Sequence, residues 1–66
     1  MSKHYTEAEL WSFINRADTH DKVEIAADFI TRMCDAGRAD IDHDTYNDMM
    51  DALAFISREL YRADAR

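Results

Sequence analysis

The chain has 66 residues, a net charge of −6 and a hydrophobic content of 47%. This length allows one small domain, and the apolar content is sufficient for a core and argues against disorder. The negative charge disfavours nucleic acid, whose phosphates are neutralised by Lys and Arg, and it disfavours anionic membrane surfaces.

Proline is absent and Gly37 is the only glycine, so few residues interrupt regular helix. We predict an all-α fold, a small three-helix bundle over residues 1–66, with a flexible N-terminus at residues 1–5. The first helix is predicted over 7–17, because Thr6 and Glu9 have the spacing of a capping box. Its apolar stripe contains Leu10, Phe13, Ile14 and Ala17, and Trp11 lies at the border of that stripe.

The second helix is predicted over 20–36, with Gly37 as the residue that ends it. Its broad apolar face comprises Val23, Ala26, Ala27, Ile30, Met33 and Cys34. Ile25 and Phe29 form a ridge that is offset from this face. A wide apolar arc that packs against a second neighbouring helix would account for the ridge, and also for Trp11.

The third helix is predicted over 43–62. Its core face comprises Tyr46, Met49, Met50, Leu53, Ile56, Ser57 and Leu60. Phe55 projects about 160° away from Leu53, on the side that should face water. Its neighbours on that side are all charged: Asp44, Asp48, Asp51, Arg58 and Arg62. An aromatic residue ringed by charge is a common composition for a protein interface.

The segment DIDHDTYNDMMD, residues 40–51, partly resembles a calcium loop of the EF-hand type. Its aspartates fall on ligand positions of that loop: Asp40, Asp42, Asp44, Asp48 and Asp51. However, Thr45 stands where the loop needs glycine, and the apolar period of the third helix already runs through the second half. Helix capping and a solvated acidic face account for these aspartates without a metal. A Ca²⁺-binding protein that uses this loop is the alternative interpretation.

Catalytic chemistry has few candidate residues in this chain. His4, His20 and His43 lack metal-ligand spacing, and Cys34 lies on the apolar face of the second helix, where burial raises thiol pKa. We expect no catalytic residues, no metal and no cofactor. A ligand-sized pocket that contains His20, Cys34 or His43 would favour an enzyme instead.

We therefore predict a non-catalytic protein-protein interaction module that self-associates or acts as a small acidic adaptor or inhibitor. The expected partner is a protein, a second copy of the chain included, and not nucleic acid or a membrane. A homodimer would bury apolar area that a domain of this size lacks. The single cysteine and the lack of a membrane-length apolar run favour the cytoplasm. The predicted partner-binding residues are Phe55, Trp11, Phe29, Ile25, Asp44, Asp48 and Asp51.

Overall fold

A computed structural model describes residues 3–64 as three helices that pack around one core. Helix α1 spans Glu7–Asn15, α2 spans His20–Asp35 and α3 spans His43–Asp64. The predicted three-helix bundle is confirmed, and the predicted helix limits differ from the observed ones by two residues at most. In the described part of the chain, no helix is both long and apolar enough to cross a membrane.

Local sequence signals set the helix ends. The Thr6 hydroxyl accepts a hydrogen bond from the Glu9 amide, and the Glu9 carboxylate accepts one from the Thr6 amide, so the predicted capping box forms. Thr19 caps α2 by accepting from the amide of Lys22. These caps satisfy amides that the first helical turn leaves without a backbone partner.

Gly37 ends α2 in the left-handed conformation, with φ of 69°. The Gly37 amide donates to the Cys34 carbonyl at 3.1 Å, and the Arg38 amide donates to the Met33 carbonyl at 2.8 Å. This pair of bonds is a Schellman motif, in which glycine is favoured because it has no Cβ. The chain therefore leaves α2 in a fixed direction and reaches α3 after a short connection.

Among the residues that the structure describes, eight buried apolar ones form the core, and every helix contributes to it. They are Leu10, Ile14, Ala17, Val23, Ala26, Ile30, Met49 and Leu53. All of them except Ala17, which follows α1, lie within a helix on the apolar face that the sequence predicts. Phe13 is the exception to the predicted pattern, because its side chain remains 37% exposed although it lies on the core stripe of α1.

The segment before α1 pairs with the connection between α2 and α3. The Tyr5 amide donates to the Arg38 carbonyl, and the Tyr5 carbonyl accepts from the Asp40 amide, each at 2.8 Å. Arg38 Nε also donates to the Lys3 carbonyl at 2.9 Å. The flexible N-terminus proposed for residues 1–5 does not anticipate this pairing at residues 3–5, and residues 1 and 2 lie outside the described part. These hydrogen bonds, which we call the clasp, join the segment before α1 to the segment after α2.

Two isoleucines of α2 give a matched test of this core, because Ile30 is fully buried and Ile25 is 68% exposed. We expect Ile30→Val to lower the free energy of unfolding by about 0.5–1.5 kcal/mol, and Ile25→Val to change it by less than about 0.5 kcal/mol. Urea denaturation followed by circular dichroism measures both. Equal losses from the two variants would contradict the assigned packing.

Candidate interaction surfaces

An apolar groove runs between α1 and α2 on the protein surface. It has a volume of about 230 Å³ and is lined by Phe13, Arg16, Ala17, Lys22, Ile25, Ala26 and Phe29. Its apolar lining includes Ile25, the most exposed large hydrophobic residue of the described chain. Two cations border it, although Lys22 is engaged with Asp18 at 3.0 Å. The sequence-predicted residues Ile25 and Phe29 therefore lie together on one surface.

Phe29 belongs to an aromatic cluster that supports one wall of the groove. Its ring packs edge-on against Phe13, with centroids 5.0 Å apart, and against Tyr5, with centroids 5.1 Å apart. Edge-to-face contacts of this kind stabilise aromatic pairs beyond the area they bury. Phe29 is thus half-buried by its own chain, whereas Ile25 presents its side chain to solvent.

Trp11 is half-buried and packs against the core. Its indole Nε1 donates to the Glu7 carboxylate, one helical turn earlier, at 3.2 Å. It is not among the groove-lining residues. The structure therefore places it apart from Ile25 and Phe29.

The outer face of α3 carries the remaining predicted residues. We call six exposed residues at spacings of three or four the outer stripe: Asp44, Asp48, Asp51, Phe55, Arg58 and Arg62; exposed Glu59 lies beside them. Phe55 is 59% exposed and shares a shallow hollow with Arg58, Glu59 and Arg62. The outer stripe and the apolar groove have no residue in common, so the predicted partner-binding residues divide between these two surfaces, with Trp11 on neither.

The acidic segment is mostly helical. Asp42 caps α3, because its carboxylate accepts from the Thr45 amide at 2.8 Å. Hydrogen bonds from the Thr45 side chain and then from the Thr45 amide lower the pKa of Asp42. Residues 43–51 lie in α3, where Asp44 and Asp51 are separated by about 10 Å along the helix axis. An EF-hand loop instead curls its ligands around one ion. Within residues 3–64, no group of three or more His, Cys, Asp or Glu side chains could hold a metal ion.

A second hollow brings Cys34 and His43 to one surface. It measures about 350 Å³ and is also lined by Asp35, Ile41, Asp42 and Tyr46. Burial, followed by the negative charge of Asp35, raises the pKa of the Cys34 thiol. Nucleophilic cysteines need the opposite shift, toward the thiolate. The hollow therefore meets the size and residue criterion given above for an enzyme, but the pKa of its thiol is shifted away from the thiolate.

Three contributors to these surfaces do not follow from the sequence pattern. The apolar stripe of α1 predicts a core position for Phe13, and nothing in the sequence marks Arg16 or Lys22 as groove residues. Helical periodicity places all three on or near the α1–α2 boundary, but it does not indicate that the crevice stays open. The alternating spacing of the outer stripe, by contrast, is readable from the sequence.

Comparisons of the chain with protein families, with curated proteins and with solved structures find no match.

The raised pKa of Cys34 gives a test of the second hollow. Because the thiolate is the reactive form, we expect folded Cys34 to react with a thiol reagent at pH 7 several-fold more slowly than in the urea-unfolded chain. Its rate should keep rising at pH values above the ordinary thiol range, since the folded pKa is higher. His43→Ala should leave the rate unchanged. Rapid reaction near pH 6–7 that His43→Ala abolishes would instead indicate an activated Cys-His pair.

Proposed function

We propose that the protein is a non-catalytic interaction module, a small acidic adaptor or inhibitor that holds a segment of a partner protein in the apolar groove. The observation that carries this proposal is the exposure of Ile25 beside Phe13 and Phe29 in a concave surface. Exposed apolar surface of this shape favours a protein contact, because binding removes it from water.

The lining of the groove favours a particular kind of partner. Its floor and walls are alanine, isoleucine and phenylalanine side chains, which suit the apolar face of a partner helix or one or two inserted apolar side chains. Arg16 at the border is exposed and would face a carboxylate on the partner segment. The preferred occupant is therefore an amphipathic segment with an acidic residue next to its apolar anchor.

Three further parts of the proposal rest on the net charge and on the Cys34 thiol: the partner class, the location and the absence of covalent catalysis. The net charge of −6 supports a protein partner over nucleic acid. The free cysteine Cys34 supports the cytoplasm, where thiols stay reduced. The raised pKa of that thiol supports a role without covalent catalysis.

Affinity purification from the native host, with the captured protein then purified and titrated by calorimetry, tests the groove. We expect Ile25→Asp to weaken binding at least about tenfold, because a buried apolar anchor is replaced by a charge that must be desolvated. Circular dichroism should show unchanged helix content, since Ile25 is exposed. Asp48→Asn is the control, because it also changes the charge of the chain by one unit but lies on the outer stripe and not in the apolar groove.

Binding of a basic partner to the aspartates of the outer stripe is the alternative that this experiment can detect. If a basic partner bound there, affinity would fall steeply with salt and with Asp48→Asn, and Ile25→Asp would have no effect. That pattern, or a captured protein whose affinity is the same for wild type and Ile25→Asp, would overturn the groove assignment.

A further inference from the structure

The outer stripe of α3 follows a heptad pattern on the solvent side of the helix. From Asp44 to Arg62 its spacings alternate between four and three residues, which keeps all six side chains on one side of the helix; five of them are charged, whereas the seam of a typical coiled coil is apolar. All six members are exposed, while the core residues of α3 lie on its other side. A seam of this kind buries its residues only when a second helix lies along it.

The order of charges along the outer stripe is self-complementary about Leu53. Asp44 and Arg62 each lie nine residues from Leu53, and Asp48 and Arg58 each lie five residues from it. When two copies of α3 run antiparallel and the symmetry axis crosses them at the level of Leu53, which itself stays in the core on the other side of the helix, each of these aspartates faces an arginine of the other copy. A twofold interface requires this kind of self-complementarity, in which the same patch serves on both subunits.

We propose that the protein forms a symmetric dimer in which the outer stripes of two α3 helices pack antiparallel. This inference deepens the proposed interaction role, on which it rests, by naming a second copy of the chain as one partner. The heptad positions agree with it, because antiparallel helices pair each a position with a d position of the partner. Here that rule pairs Asp48 with Arg58, and Arg62 with Asp44.

Phe55 supplies the apolar centre of this interface. It lies two residues from Leu53, so the two Phe55 rings are about 6 Å apart along the helix axis at a rise of 1.5 Å per residue. That separation is within the range at which aromatic rings pack. Ala52 and Ala54 flank it with small side chains, which allow the two backbones to approach closely.

Other arrangements of the same two helices are less favourable. A parallel pair would place aspartate against aspartate at one end and arginine against arginine at the other. Shifting the antiparallel pair by one heptad in one direction leaves a single complementary pairing, Asp51 against Arg62. Shifting it by one heptad in the other direction sets Asp48 against Asp51, which repel each other. Within one chain, Arg62 contacts Glu59 at 3.7 Å, a long and exposed pair that dimerisation can replace.

Asp51 is the one mismatched position in the preferred alignment. It lies two residues from Leu53, opposite Phe55 of the other copy, and no cation of the outer stripe is aligned with it. Burying an uncompensated carboxylate beside an aromatic ring opposes association. Removing this charge should therefore tighten the dimer, an effect that a purely structural role of Asp51 within one chain does not produce.

Sedimentation equilibrium of the full chain tests the dimer through paired charge changes. We expect wild type to dimerise at micromolar to high micromolar concentration. Arg58→Glu with Arg62→Glu should weaken association at least tenfold, because the outer stripe is then acidic throughout. Adding Asp44→Arg and Asp48→Arg to that variant reverses the pattern but keeps it self-complementary, and should restore dimers. Asp51→Ala should tighten the wild-type dimer several-fold.

Other outcomes would overturn the dimer while leaving the apolar groove to be judged separately. Strictly monomeric wild type at high micromolar concentration, with native helix content by circular dichroism, would overturn it. So would dimers that Ile25→Asp abolishes but the arginine changes do not, since self-association would then use the apolar groove. Failure of the four-residue charge swap to restore dimers, in a variant that is folded, would contradict the antiparallel alignment.

Discussion

Burial of Met49 and Leu53 fixes the rotation of α3 about its own axis, and the properties of the surface follow from that constraint. Both side chains are almost completely buried among residues of α1 and α2, including Ile14 and Ile30. Because a helix repeats every 3.6 residues, their burial turns the opposite side of α3 toward solvent along its whole length. Phe55 is therefore exposed because of the rotation of α3, although its own side chain is apolar.

The helices differ in length, and apolar surface remains uncovered beside the shortest of them. At a rise of about 1.5 Å per residue, α3 is about 33 Å long and α1 is only about 13 Å long. The crevice beside Ile25 runs alongside α1, between Phe13 of α1 and Phe29 of α2, and stays open as the apolar groove. The clasp at Tyr5 closes the far end of this crevice by packing against Phe29. A chain with a single free cysteine gains no disulfide support, and partner binding at these surfaces would bury further apolar area.

Features that depend on neighbouring residues could be predicted from the sequence, and features that depend on distant ones could not. The caps at Thr6 and Gly37, the apolar periods and the exposure of Phe55 are local properties, so the helices and the outer face of α3 were predictable. The pairing of Tyr5 with the segment after α2 joins residues more than thirty positions apart, and no periodic pattern in the sequence predicts it. The sequence also predicts a core position for Phe13, which is exposed in the structure. Periodicity shows on which side of a helix a residue lies, but not whether another element covers that side.

The central claim is that two copies of α3 meet along the outer stripe, with Phe55 near the symmetry axis. Isotope-filtered nuclear Overhauser spectra of a mixed sample of labelled and unlabelled chains detect contacts between copies alone. The account predicts intermolecular cross-peaks from the Phe55 ring to the Ala52 methyl group of the other copy, and from Asp48 to Arg58 of the other copy. Intermolecular cross-peaks from Ile25 or Phe13, without any from Phe55, would contradict it.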